Sequence, residues 1–512
     1  MGAMENKTIL IIGGGISGLT AGINAAQQGF HPIILEKNPV VGGLCMGWTR
    51  QGHYLDGCIH WLTGTNKKRQ LYSMWKNIGA IDDDTEIIYL DSWGTFEYEG
   101  TKVCLYRDIK KVEEEWIKIS PVDKKEIKHF FKMVRDFNSI ELPLDAPATM
   151  LPLPKLMKLG LDVLNVWPSY LKTMKMTCKE YAKKFKSPAI RWAINHAQPG
   201  DGNLFSLLYS YAIIVDGNGG IPKGGSLPMV ERIKNRYLEL GGTLKTNAEV
   251  KHILTKKGRC IGVVLKDGTK YYADYTISAL DPNFTLSHLL LGQYHLPKLD
   301  KRFYDMKNNP TPSCCLISFE ADNIDTPVPY SFPCEPFEVA GAKIEHLTIR
   351  NYNYDPETYV KDGKTIISVL IDQYSVNYSY WNEMYKNDPL LYRMRKKELG
   401  ELILSKIVKQ IPELKGRIRV LDVATPKTLN RYTNASRGAY MAFLFTHKKG
   451  MFTHNGFVKG LKNFVMAGQW MQAPGGLPLA MSSGMFAIQR ICKLEKISYV
   501  FQRNKLLSKK NA

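Results

Sequence analysis

The period of the hydrophobic positions changes along the chain, and each change marks an element. Lys7–Ile12 is an apolar run that stops on glycine, which predicts a buried strand. Leu19–Gln28 carries apolar residues at helical spacing and His31–Glu36 is a second apolar run, so residues 7–40 predict a β-α-β unit. Helices are expected over 66–80 and 107–140, and short strands over 86–106. Prolines at 143, 147, 152 and 154 then break the pattern ahead of a basic, apolar, helix-like stretch. Ser226 is placed to cap a helix that Gly241-Gly242 would end. Thr243–Ile253 predicts one strand, Lys256-Lys257-Gly258 a hairpin into Cys260–Leu265, Asp267-Gly268 a further turn, and Tyr275–Ala279 a buried strand. Strands are expected over 313–320 and 365–374, and an amphipathic helix over 388–411. Lys462–Gly468 predicts a strand ending on glycine, and Pro474-Gly475-Gly476 leads into a helix over Ala480–Leu494.

Composition narrows the class. A chain of 512 residues has room for two or more domains. Met1-Gly2-Ala3 ahead of Met4 reads as an appended leader, and a strand so soon afterwards predicts no signal or transit peptide. No apolar run reaches the ~18 residues that span a bilayer. The nine cysteines have no CxxC pair and no metal-type spacing, which predicts reduced thiols in a cytoplasmic protein and no metal site. Net charge is +21, with a pI near 9.3. Nothing matches a nucleic-acid-binding signature, so nucleic acid is not expected as a partner. Leu151–Lys186 mixes eight lysines with Leu, Met, Trp and Tyr, including Leu156, Leu159 and Trp167. That mixture suits either a lysine-faced core helix or a segment that docks on an anionic membrane surface.

The chemistry begins at Gly13-x-Gly15-x-x-Gly18, between the first strand and the first helix. Gly13 permits the tight turn, Gly15 lets the backbone approach a pyrophosphate, and Gly18 lets the helix pack on the sheet. The helix N-terminus offers free N–H groups and a partial positive charge, with Ile16 and Ser17 at that end. Glu36 closes the second apolar run at the distance needed to accept hydrogen bonds from a ribose, with Lys37 beside it. NAD, NADP and FAD all use this fingerprint. Three later features favour a long dinucleotide clasped from both ends of the chain: Gly42-Gly43, the Gly224-Gly225-Ser226 helix leading to Asn247–Val250, and Gly468-Gln469-Trp470 with Gly475-Gly476. No second Gly-x-Gly-x-x-Gly follows a strand, so a separate NAD(P)H domain is not expected.

These residues also carry a resemblance. The chain is similar to the FAD-dependent amine-oxidase-type superfamily, and more closely to its phytoene desaturase branch, which includes carotenoid desaturases, carotenoid isomerases and retinol saturases. The likeness rests on Ile11–Ala21, Leu35-Glu36-Lys37 with Gly42-Gly43, Tyr54–Gly57, Ile221–Ser226 with Gly241-Gly242, Asn247–Val250, and Gly468-Gln469-Trp470 with Gly475–Pro478. It implies an α/β fold: a Rossmann-like FAD-binding domain, an interleaved α+β substrate domain and a helical lid. The FAD-binding domain would be discontinuous, over 4–80, 222–290 and 455–494. The substrate domain would take 81–221 and 291–454, with 142–200 as the lid.

By the same resemblance, Gly13, Gly15 and Gly18 would face the pyrophosphate and Glu36 the adenosine ribose. Gly42 and Gly43 would lie along the pyrophosphate and ribityl chain, and Val250 would meet the adenine. Gly468 would sit by the ribityl phosphate, and Gly476 and Leu477 by the flavin pyrimidine edge. Two departures stand out: Leu44-Cys45 where many relatives have arginine, and Gln469 where many flavoproteins have aspartate. Gln469 can still hydrogen-bond a hydroxyl or a phosphate.

A flavin carries the hard chemistry itself, so no catalytic triad is expected and none is found. His60, in Asp56-Gly57-Cys58-Ile59-His60-Trp61, is the one candidate for proton transfer. Trp61, Trp470 and Met471 are candidate walls of a substrate channel. The expected function is an FAD-dependent oxidoreductase that desaturates or saturates a long apolar unsaturated lipid. It would be cytoplasmic and peripheral on the inner face of a membrane, with oxygen or a quinone as electron acceptor. Alternatives are a redox-neutral cis–trans isomerase of a polyene, a soluble amine oxidase, and a noncatalytic lipid carrier on the same fold.

Overall fold

The computed structural model describes residues 7–138, 144–198, 202–444 and 452–501. Within the helix Leu153–Met174 the side chains of residues 158, 159 and 162–169 are not described. The side chains of Leu159 and Trp167, and the whole of Pro143, therefore lie outside the described residues.

Two sheets organise these residues. The first runs in the order Thr243–Lys245, His31–Leu35, Thr8–Ile12, Tyr275–Ser278, Leu461–Met466, Arg259–Leu265, Val250–Lys256. Its central strand, Thr8–Ile12, pairs in parallel with His31–Leu35 on one side and Tyr275–Ser278 on the other. Parallel strands covered on both faces need continuous apolar runs, and Ile9, Leu10 and Ile11 are completely buried. Segments near 10, 34, 277 and 465 thus meet in one layer.

Helix Ile16–Gln27 holds two later helices against this sheet. Gly22 lies under Tyr237 of Ser226–Glu239, where a Cβ would stand 2.5 Å from the ring. Gly484 of Leu477–Leu494 approaches so closely that a Cβ would stand 2.2 Å from the Ser17 carbonyl oxygen. Gly22 thus makes room for the Tyr237 ring, and Gly484 lets its helix approach the backbone of Ile16–Gln27 directly.

The single strand expected over Thr243–Ile253 is two. Thr243–Lys245 runs parallel beside His31–Leu35, whereas Val250–Lys256 runs antiparallel to Arg259–Leu265. The chain has to turn between these partners. It does so at Asn247, with φ 54°, while the Asn247 and Ala248 N–H groups donate to the Asn38 and Glu36 carbonyls. The basic, apolar stretch also divides, into Leu153–Met174 and Cys178–Ala182. Thr177 and Glu180 form a capping box at the second start.

The second sheet has seven strands, in the order Ile418–Ala424, Pro312–Asp322, Lys364–Tyr374, Ala342–Asn351, Tyr330–Val339, Ser92–Tyr98, Thr101–Tyr106. Side chains alternate across it with period two. One face, with Cys315, Ile317, Phe319, Leu347, Ile349, Ile367, Val369 and Ile371, is buried with Trp381, Tyr392, Leu399, Ile403 and Ile407 of the helices Tyr378–Asn387 and Pro389–Gln410. The opposite face looks towards the first sheet. Over one end lies a helical cap with a core of Trp116, Phe130, Phe131, Tyr181 and Tyr211. Helix Leu153–Met174 joins this cap through Tyr170, whose ring meets Phe205 at 5.2 Å. Its outer face exposes Leu153, Met157 and Leu161, at spacing i, i+4, i+8, by 69, 62 and 61 %. Among the described residues no helix is long and apolar enough to cross a membrane.

Candidate functional site

A continuous cavity of about 1120 Å³ lies between the two sheets and the helical cap. Single ligand pockets span roughly 300–1,000 Å³, so this one has room for more than a typical ligand.

The first end is built from backbone. Gly13, with φ 99°, makes the turn after Thr8–Ile12, and its N–H donates to the Leu35 carbonyl. Gly15 caps helix Ile16–Gln27 with no side-chain hydrogen bond, leaving the helix N–H groups free towards the cavity. The Ser17 hydroxyl there is buried with no hydrogen-bond partner. At Gly15 an added Cβ would come no nearer than 3.8 Å to any other atom, at Gly468 and Gly476 no nearer than 4.0 Å. All three line the cavity; the left-handed φ of Gly468 (120°) and Gly476 (93°) calls for glycine there, whereas at Gly15 the fold itself makes no such demand. What their small size preserves is cavity space, which is the fit expected of a loop that cradles phosphates. Gly42 and Gly43 run beside Gly15 through a parallel bridge. A second helix N-terminus, that of Leu477–Leu494 behind Gly476, faces the same space without a side-chain cap.

Other expected residues are placed as follows. Glu36 is buried at the cavity wall, and its carboxylate accepts from the Gly14 N–H at 2.8 Å and the Asn38 N–H at 2.9 Å. It therefore fixes the glycine turn as well as facing the cavity. Lys37 donates to the Arg431 carbonyl and to Asn434, and burial lowers its pKa. Ile16, Val250 and Leu477 line the cavity. Cys45, shortly after Gly42-Gly43, is a buried thiol; a hydrogen bond with Cys58, then burial, holds its pKa well above the usual range.

Two expectations are corrected, and Gln469 is found with partners of its own. Gly18 does not face the cavity: an added Cβ would fall 1.9 Å from the Gly13 carbonyl oxygen, so its role is steric, inside the turn. Gln469 reaches the wall, but its amide is engaged within the protein. Its Oε1 accepts from the Gly476 N–H at 3.0 Å, and its Nε2 donates to the Tyr440 carbonyl at 3.1 Å. Met471 is buried in the apolar core and does not line the cavity. Its neighbour Trp470 does, with its ring wedged against Phe303 and Phe443.

The middle of the cavity holds the loop Gly57–Trp61. Asp56 anchors it by accepting from the Cys58 and Ile59 N–H groups and from the N–H and hydroxyl of Ser226, at the head of helix Ser226–Glu239. That brings His60 and Trp61 to the wall. Burial first, and then the charge of Arg350, push the His60 pKa down to about 3. An imidazole of such low basicity is uncharged at pH 7, so His60 is a weak base there and the imidazolium is not populated as a proton donor. Trp61 meets Trp93 edge to face, and Trp93 stacks on Tyr211.

The far end is built from side chains. The inner face of the seven-stranded sheet brings Cys314, Leu316, Ser331, His346, Thr348, Arg350, Ser368, Leu370 and Asp372 to the cavity. Apolar walls rise from Trp93, Tyr170, Phe205, Tyr209 and Ile213. Burial raises the Asp372 pKa to about 6 and lowers that of His346 to about 4. None of these sheet residues was expected from sequence. The available signal was the period-two polar set His346, Thr348, Arg350 interleaved with Leu347 and Ile349.

The fold and the glycine-built end define a Rossmann-like domain of the dinucleotide-binding type, with a cavity that continues beyond it to the second sheet. Comparison with known proteins agrees. A family model described as an NAD(P)-binding Rossmann-like domain matches residues 11–78. The chain is 23 % identical to the chloroplastic prolycopene isomerase of Daucus carota, over 86 % of this chain and 72 % of that one. It is 27 % identical to a lycopene-forming phytoene desaturase of Paracoccus, over 59 % and 60 %. With a 4,4'-diaponeurosporene oxygenase of Staphylococcus aureus it shares 24 %, over 95 % and 98 %. Among solved structures, an oxidoreductase from Methanosarcina mazei superposes with a TM-score of 0.57 at 15 % identity, covering 94 % of this chain and all of that one. Putrescine oxidase with bound putrescine gives 0.55 at 15 %, over 95 % and 99 %. The resemblance drawn from the motifs holds: the chain is similar to the phytoene desaturase and carotenoid isomerase branch, and it has the fold of the amine-oxidase-type flavoproteins.

Proposed function

We propose that this protein is an FAD-dependent oxidoreductase that desaturates or saturates a long, apolar, unsaturated lipid of carotenoid, retinoid or acyl type. The observation that carries the reading is the single cavity that joins the glycine-built end to the aromatic and sheet-lined end. The carotenoid-acting relatives support it. Gly13, Gly15, Ile16 and Ser17 would hold the pyrophosphate, Glu36 the ribose, and the backbone at Gly476 and Leu477 the flavin edge. FAD, when bound, supplies hydride-accepting and hydride-donating chemistry. The chain's own residues shape the substrate path with Trp61, Trp93 and Trp470, exclude water with the helical cap, and keep His60 uncharged. The division into a discontinuous cofactor domain and a substrate domain belongs to this reading, supported by the separate chain segments that supply the two sheets.

An anionic membrane surface is the proposed source of substrate. Leu153, Met157 and Leu161 form one exposed apolar face, and Tyr170 and Met174, farther along the same helix, line the cavity. The helix therefore connects an outer apolar face to the inner compartment. A redox-neutral isomerase on the same site is the second reading, favoured by the likeness to prolycopene isomerase over most of the chain.

The test is direct. Purified protein is expected to be yellow and to release FAD on denaturation, and organic extraction with mass spectrometry is expected to recover a polyene or long acyl lipid. Turnover that changes the hydrogen count of that lipid supports the first reading. Geometric isomerisation with no net redox change supports the second. A colourless protein that takes up no FAD overturns both.

A further inference from the structure

Arg350 lies on the inner face of the seven-stranded sheet, opposite Ser368 in register. It is only 8 % exposed and lines the cavity. Its Nη1 is buried with no hydrogen-bond partner, and among the described residues no carboxylate pairs with it. Asp372, four residues along the neighbouring strand from Ser368, makes no ion pair with it either. A guanidinium offers five N–H donors and cannot shed its proton at physiological pH. A buried charge left without a counter-charge is strongly unfavourable, and the common remedy is a paired anion. Burial and the Arg350 charge itself hold the neighbouring His60 neutral, so His60 supplies no second positive charge beside it.

We propose that Arg350 is the docking point for a carboxylate on the substrate, so that the cavity takes a long apolar acid rather than a pure hydrocarbon. The acid would rest on the sheet between Arg350, Ser368 and Thr348, and the chain would lie along Trp93, Phe205 and Tyr209. The proposal rests on the lipid reading above and narrows its substrate class. Planar guanidinium–carboxylate pairing is bidentate and charge-assisted, which gives direction as well as affinity. The same guanidinium chemistry could instead serve an anionic edge of the reduced cofactor, and the experiment separates the two.

The probe is cis-parinaric acid, a conjugated polyene acid whose fluorescence rises in apolar surroundings, set against its uncharged methyl ester. Both are titrated into the FAD-loaded wild type, Arg350→Met and Arg350→Lys. The wild type is expected to prefer the acid. Arg350→Met is expected to weaken the acid roughly ten- to hundredfold, the scale of a lost charged hydrogen bond, and to leave the ester within about twofold. Arg350→Lys is expected to keep part of the preference. A wild type that binds acid and ester equally overturns the proposal while leaving the lipid reading intact, and needs no variant to show it. A shift of the flavin potential in Arg350→Met with an unchanged acid-to-ester ratio assigns the arginine to the cofactor and also overturns it. Binding of neither probe overturns this proposal together with the lipid reading.

Discussion

The two ends of the cavity are made of different material. At the first, Gly13, Gly15, Gly42, Gly43, Gly468 and Gly476 offer backbone in place of side chains, and two helix N-termini supply partial charge. At the second, alternate side chains from four strands form a floor that carries Arg350 and Asp372 without an ion pair between them, and the Arg350 Nη1 is buried with no hydrogen-bond partner. A backbone-built end has little freedom to vary: a Cβ at Gly13 would meet Leu280, one at Gly42 would meet the Cys45 carbonyl oxygen, and one at Gly15 would take cavity space. A side-chain-built end can change its preferences without loss of fold, because each residue stands on a sheet secured from its other face. The first end therefore suits a fixed cofactor and the second a substrate.

The largest expected effect breaks the first end. Gly15→Val is expected to abolish FAD binding while leaving the circular dichroism unchanged, because no protein atom contests its Cβ. Gly18→Val, three residues on, is expected to destabilise the fold by about 3 kcal/mol or more, because its Cβ overlaps the Gly13 carbonyl. Flavin content and urea midpoints distinguish them. Stoichiometric flavin in Gly15→Val would falsify the assignment of this loop.

Glu36→Ala removes the carboxylate that faces the cavity and holds Gly14 and Asn38. Its expected cost to FAD affinity is about 1–3 kcal/mol, the scale for hydrogen bonds to a charged group. Equilibrium titration of apoprotein checks this, and an unchanged Kd would assign the ribose to another residue.

At the second end, burial raises the Asp372 pKa to about 6 from the usual 3.8. A carboxyl with a raised folded-state pKa favours folding below its unfolded pKa, and that contribution is lost as pH rises through 6. Asp372→Asn is therefore expected to raise stability by about 1–3 kcal/mol at pH 7.5 and to change it little below pH 4. An equal gain at both pH values would contradict the environment described for this floor.

The smallest effect on the fold is expected outside the cavity. Replacing Leu153, Met157 and Leu161 by serine should move stability by no more than about 0.5 kcal/mol, because all three are exposed. It should nevertheless reduce sedimentation with anionic liposomes. Wild-type binding should fall as salt rises, since lysines near an anionic surface contribute about 1 kcal/mol each and are screened. A wild type that ignores such liposomes at low salt removes the membrane from the proposed function.

The first end was legible in the sequence. Its requirement is local: a strand stops, the chain turns at positive φ, and a helix starts with its N–H groups free. Glycines at fixed spacing and one acid at a fixed distance express that requirement within a few dozen residues. Even there the sequence did not fix the orientation of particular side chains. Gln469 spends its amide on Gly476 and Tyr440, and Met471 turns into the core, because contacts from a segment some thirty residues earlier and from the apolar core decide their orientation.

By itself, then, the sequence determined the β-α-β unit, the glycine loop with Glu36, and the late strand–glycine–helix unit, since short-range backbone geometry dictates all three. Only the tertiary structure decided that Thr243–Ile253 splits to serve two strand partners, and that His346, Thr348, Arg350, Ser368 and Asp372 share one floor. Those outcomes depend on strand register and on which sheet face meets the helices Tyr378–Asn387 and Pro389–Gln410. Pairing between residues far apart in the chain sets both, and a single-residue slip would send every floor side chain to the opposite face.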